Sequence, residues 1–127
     1  MTNWTRNDLE RIGAAEELQL ATVKQDGTLR KPVVIWVVRV GDDLYIRSWR
    51  GREGAWFRHV QRRPEGHIGA SGVTKDVTFV DASSDEALGN EIDAAYQSKY
   101  RKYSAKYLDP MIAPQARAAT LKLVPSA

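Results

Sequence analysis

A mainly β fold with helical cover, of the α+β class, is what the sequence predicts, and three observations predict it. About six strand-like stretches are separated by glycine or proline punctuation. Helical periodicity is confined to a few segments between them, and the chain length suits one hydrophobic core rather than two. Many short strands with few helices favour a small barrel with helices laid over it. The expected organisation is a single domain, 1–127.

The elements follow in order. Residues 1–15 read as an N-terminal helix: Thr5 with Asp8 three residues later is a cap and a dipole-matching acid, Leu9 and Ile12 share a face, and Gly13 suits the stop. Residues 16–82 read as the barrel core. Leu18, Leu20 and Thr22 alternate with Gln19 and Ala21, and Asp26-Gly27 is a hairpin signal. PVVIWVV is β-branched and apolar throughout, so one strand buried on both faces is expected, with Pro32 at its start. Gly41-Asp42-Asp43 turns the chain into LYIRS. Within the core, Trp56, Phe57 and Val60 mark a short helix over 54–63, closed by Arg63-Pro64. HIGAS and DVTFV supply two more strands. Ser83 with Glu86 has capping-box spacing and opens a long helix over 83–109, with Leu88, Ile92, Tyr96, Tyr100 or Tyr103, and Tyr107 on its apolar face. A closing strand occupies 117–124.

Composition narrows the function. The formal charge of +3 is too small for a polyanion binder, so any anion site must be local. Without cysteine there is no disulfide, thiol catalysis or thiolate metal site. No apolar run reaches the ~20 residues of a membrane span. The first residues lack a signal-peptide core, and a cytoplasmic location is the expectation. His59 and His67 lack metal-ligand spacing, and no hydrolytic triad or carboxylate pair stands out.

Positive charge is concentrated in RSWRGREGAWFRHVQRR, residues 47–63, which hold six of the twelve arginines and two of the four tryptophans. The stretch begins where a strand ends and runs into a helix. Arg47, Arg50 and Arg52 with the Ser48 hydroxyl, Gly51 and Gly54 make a chemically sensible phosphate cradle. Lys24, Arg30 and Lys31 bracket the Asp26-Gly27 turn and would converge on it if the hairpins are neighbours. Two other readings stay open: a solvated basic loop with its tryptophans packed inward, and a grip on single-stranded nucleic acid by charge and stacking. Low overall charge and flanking acids weigh against the latter.

The segment VKQDGTLRKPVVIWVVRVGDDLYIRSWRGREGAWFRHVQRRPEGHI resembles the split β-barrel flavin and deazaflavin oxidoreductases, nearest the deazaflavin-dependent nitroreductase-like branch. That pattern runs G-R-x-S-G-x-x-R-x-x-P, strand, G-D, strand, S-x-G-G, A-W-Y and N-P. The resemblance extends from Leu18 to about Val124 and also touches an uncharacterised bacterial group of the same fold. It implies a six-stranded split β-barrel of the FMN-binding type. It aligns Lys24, Gly27 and Arg30 with residues that meet the cofactor's phosphate or polar tail, and Ser48 and Gly51 with the loop that faces the cofactor. Ala55-Trp56-Phe57 stands for A-W-Y, and Arg63-Pro64 for N-P.

With Lys31, Arg47, Arg50, Arg52 and Trp56, these form the expected cofactor-binding set. Tyr96, Tyr100 and Tyr103 resemble substrate-side tyrosines, and Trp36 would back the cofactor ring; half-buried helix aromatics and a core tryptophan are the plainer readings. The resemblance implies FMN or a deazaflavin as cofactor, a reductase passing hydride to a small-molecule organic substrate, and a homodimer. The alternative is a non-enzymatic ligand-binding or nucleic-acid-binding barrel.

Overall fold

The computed structural model describes residues 4–126. Helix α1 (Arg6–Ala14) starts where the Thr5 hydroxyl accepts the Asp8 N–H at 3.1 Å, and it buries Leu9 and Ile12. Seven antiparallel strands follow, β1 (Leu18–Thr22), β2 (Val33–Ile35), β3 (Val38–Val40), β4 (Asp43–Arg47), β5 (Glu65–Ala70), β6 (Val73–Asp81) and β7 (Thr120–Pro125). Between β4 and β5 lies α2 (Ala55–Arg62), and between β6 and β7 lie α3 (Glu86–Lys99), α4 (Ala105–Ile112) and α5 (Pro114–Arg117).

The strand order is β2-β1-β5-β6-β7-β4-β3. The two edge strands, β2 and β3, are therefore separated in sequence only by Trp36 and Val37. Three Cα steps span about 11 Å at most, so the sheet must curl until its edges nearly meet. This corrects the expectation of six strands. The apolar run is one strand in sequence but two in the sheet, because it turns a corner at Trp36–Val37 and changes partner. Leu18 pairs with Ile35 on one side of the corner, and Val38 with Tyr45 on the other.

A corner leaves backbone groups without a ladder, and α3 satisfies them. The Val37 N–H donates to the Tyr100 hydroxyl at 3.2 Å, Lys99 Nζ donates to the Val37 carbonyl at 2.6 Å, and the Tyr100 hydroxyl donates to the Glu16 carbonyl at 2.7 Å. The expectation that PVVIWVV is covered on both faces is also corrected. Val37 and Val38 are buried, whereas Val33 and Val34 on β2 are 38% and 55% exposed.

The long helix expected over 83–109 is broken. Asp85, not Ser83, caps α3 by accepting the Leu88 N–H at 3.0 Å, and Ser83 instead donates to Asp81. The chain bends after Lys99 because Tyr100 and Tyr103 both turn toward Trp36, whose ring lies 3.9 Å from that of Tyr100 and 5.0 Å from that of Tyr103. Ser104 then precedes α4.

Two cores result. Leu44 and Ile46 of β4 point into the barrel with Leu18, Leu20, Ile68 and Leu123, covered by α1 and by Phe57 and Val60 of α2. The intervening Tyr45 points the other way, against Ile92, Tyr96 and Met111 of α3 and α4.

Candidate functional site

An apolar groove of about 700 Å³ opens along β2, at the margin of the sheet. Its floor is Val33, Val34, Ile35 and Trp36. One wall is Trp49, from the loop after β4, with Trp56 of α2; the other is Lys106, Tyr107, Pro110 and Met111 of α4. Trp49 and Tyr107 form an exposed rim, 56% and 58% accessible.

The loop that carries Trp49 is held from behind. The Ser48 N–H donates to the Ala119 carbonyl at 3.2 Å, the Gly51 N–H to the Ser48 carbonyl at 2.9 Å, and Gln115 Nε2 to the Trp49 carbonyl at 3.1 Å. Gly51 has φ +70°, and a Cβ there would lie 2.5 Å from the Gln115 side chain. A Cβ on Gly54 would lie 2.5 Å from the Ser48 hydroxyl. Ser48 is thus buried under its own loop rather than turned toward the groove.

Arg47 reaches the groove, but its guanidinium is spent inside the protein. Nε donates to Thr120 Oγ1 at 2.9 Å, Nη1 to Asp93 Oδ1 at 2.5 Å and to the Met111 carbonyl at 3.0 Å, and Nη2 to the Gly89 carbonyl at 3.1 Å. Asp93 bridges on to Arg117, also at 2.5 Å. Tyr96 lies beneath this cluster, its ring 5.6 Å from the Arg47 guanidinium. It is wholly buried with no partner for its hydroxyl, and burial raises its pKa far above the usual phenol range. Tyr96 and Tyr100 therefore do not line the groove; Tyr100 and Tyr103 pack against Trp36, which does.

A second cleft, of about 380 Å³, is basic. It is lined by Val23 and Gln25 of the first hairpin, by Arg30, and by His59, Arg62 and Arg63 at the end of α2. Arg30 Nη1 is fixed by the Val23 carbonyl at 3.0 Å, and Arg63 Nη1 by the Lys24 carbonyl at 3.1 Å. His59 Nδ1 is buried without a partner. Burial first, then Arg30, Arg62 and Arg58, hold the pKa of His59 below the ordinary imidazole value.

The convergence of Lys24, Arg30 and Lys31 on the Arg47–Arg52 loop is not what the structure brings together. Arg30 meets the C-terminal end of α2 instead. Lys24 and Lys31 are exposed, and Gly27, at φ +92°, serves the hairpin turn. Arg52 donates to the Ala118 carbonyl at 2.8 Å and lies near Asp81, while Arg50 covers the Trp49 ring at 4.8 Å. Sequence reasoning missed His59, Arg62 and Arg63 on one side, and Val33, Val34, Trp49 and Tyr107 on the other. A signal was present: Trp56, His59 and Arg63 stand at i, i+3 and i+7. His59 lies one helical turn, about 5 Å, beyond Trp56, and Arg63 caps the helix a turn later. The apolar groove and the basic cleft are thereby set end to end along α2.

Among the described residues no group of His, Cys, Asp and Glu is placed to hold a metal ion, and no helix is long and apolar enough to cross a membrane. No curated protein matches the chain in sequence. Its structure is similar to a conserved hypothetical protein from Mycobacterium tuberculosis, at TM-score 0.72 and 13% identity over 99% of this chain and 83% of that one. It is similar to a FAD-binding protein from Mesorhizobium loti, at TM-score 0.67 and 15% identity over 100% and 93% of the two chains. A third similar structure is an F420 reductase, at TM-score 0.51 and 15% identity over 94% and 93%. These likenesses show that the chain shares the fold of those proteins. The model of the family described as "Uncharacterized protein conserved in bacteria (DUF2255)" matches residues 8–123, and the chain belongs to that family.

Proposed function

We propose that the chain binds a phosphate-bearing flavin-type cofactor, FMN or a deazaflavin, with its ring in the apolar groove and its phosphate in the basic cleft, and that it is a reductase of small organic molecules. One observation carries this reading: α2 presents Trp56 to the groove and His59, Arg62 and Arg63 to the cleft, where Arg30 joins them. The guanidiniums of Arg30, Arg62 and Arg63 around one cleft suit an anion. The apolar residues of β2 and the indoles of Trp36 and Trp56 suit a planar ring system.

When bound, such a cofactor supplies hydride chemistry; the protein supplies position and field. Arg30, already fixed by the Val23 carbonyl, and Arg62 would neutralise the phosphate. Arg47 of β4, itself held by Asp93, donates to the Met111 carbonyl and so ties the α4 wall of the groove to β4. Val33, Val34 and Pro110 would exclude water from one side of the ring.

The nucleic-acid reading is weakened because the arginines of residues 47–63 do not form a strip. Arg47 is internal, Arg52 lies near Asp81, and Arg63 pairs with Glu65. We also propose a homodimer, in a cytoplasmic setting, with the exposed β2 valines at the seam.

The test is a titration of the purified protein with FMN and, separately, with a deazaflavin, following quenching of cofactor fluorescence. Saturable quenching is expected with one of them, and weakening by tenfold or more in Arg62→Ala. No quenching with either would remove the proposal; binding without turnover of any added acceptor would leave the non-enzymatic ligand-binding barrel.

A further inference from the structure

Resting on the reading of the groove as the ring site, we propose that its outer part admits flat aromatic anions, of the arene carboxylate class, as substrates, and that Lys106 and Arg50 select them. The argument starts from charge. No acidic side chain lines the groove among the described residues, and its one buried cation, Arg47, is already neutralised by Asp93. The two exposed rim aromatics each carry a cation over the ring: Arg50 over Trp49 at 4.8 Å and Lys106 over Tyr107 at 5.8 Å. Neither Arg50 nor Lys106 makes an ion pair among the described residues. Trp49 and Tyr107 both line the groove, one from the loop after β4 and one from α4, so two elements each bring its mouth an aromatic ring with an unpaired cation over it.

Such a mouth discriminates by sign. A cation entering it meets two like charges, a neutral ring meets only apolar surface, and an arene carboxylate meets the surface and the charges together. Stacking on an indole that already holds a guanidinium over one face leaves the other face for the ligand. The groove is at the roomy end of the range for small-molecule sites, so a cofactor ring on the β2 floor leaves space for a second flat molecule toward the rim. The cofactor's phosphate belongs to the Arg30 cleft, so the rim cations are not needed for it.

The experiment uses a matched pair, 2-naphthoate and 2-naphthamide, which share a ring system and differ in charge. Calorimetric titration of the full chain is expected to show at least a tenfold preference for the naphthoate. The preference should shrink at 0.5 M NaCl, fall by tenfold or more in Lys106→Glu and in Arg50→Glu, and persist in Lys106→Arg. Equal affinity for the two compounds overturns the proposal. So does a preference that survives both reversals, and so does one lost in Arg62→Glu instead, which would place the carboxylate in the basic cleft. FMN titrated in parallel separates the two readings. FMN binding with no naphthoate preference sinks the substrate class alone; a naphthoate preference with no flavin or deazaflavin binding sinks the cofactor and keeps the anion-selective mouth.

Discussion

Arg47 is fully enclosed, and every direction in which its guanidinium points ends on an oxygen: a carboxylate from α3, carbonyls from α3 and α4, and a hydroxyl from β7. Removing one partner from such a cluster leaves a charge without compensation, which costs far more than the pair contributes over an apolar replacement. Asp93→Asn should therefore lower the unfolding free energy by roughly 3 kcal/mol, as measured by urea denaturation. Loss of less than about 0.5 kcal/mol, the size of an ordinary surface change, would show the cluster to be dispensable. None of this could be read from the arginine-rich stretch, because the acceptors of Arg47 lie 42 to 73 residues away. Ser48 misled in the same way, since its hydroxyl looks available until Gly54 folds over it. Arg30 was legible only as a basic residue; its place beside His59, Arg62 and Arg63 required knowing where α2 ends.

Most local signals at the level of elements were legible where the partner is close in sequence, the Ser83 cap being the exception. The Thr5 cap, the turns at Gly27 and Gly41 and the short α2 all depend on residues within a few positions. The corner at Trp36–Val37 depends on Lys99 and Tyr100, more than 60 residues on, so an unbroken apolar run concealed it. The same dependence yields a prediction. Tyr100→Phe keeps the stacking on Trp36 but strips the hydroxyl from the buried Val37 N–H and the Glu16 carbonyl. It should destabilise the protein by about 1–3 kcal/mol, the cost of an unsatisfied buried group, measured by chemical denaturation. A change below about 0.5 kcal/mol would mean that the corner does not rely on this side chain. The break between α3 and α4 follows from the same aromatic cluster, and for the same reason a single heptad-like reading of the tyrosines ran through it.

For the molecule as a whole, the homodimer proposed above rests on apolar area left open along β2. Val33 and Val34 are exposed side by side on β2, the strand at one margin of the sheet. Sedimentation equilibrium should give twice the 14.3 kDa chain mass, and Val34→Glu should shift it toward one chain. A monomer at all concentrations would show that the groove faces water or ligand alone. Both outermost strands of the sheet, β2 and β3, offer only three residues each, because a single run of chain was divided to make them. A foreign polypeptide looking for backbone to zip onto finds a very short purchase at either margin. Association must then be negotiated through side chains, which keeps self-recognition specific and makes fibrous stacking unfavourable.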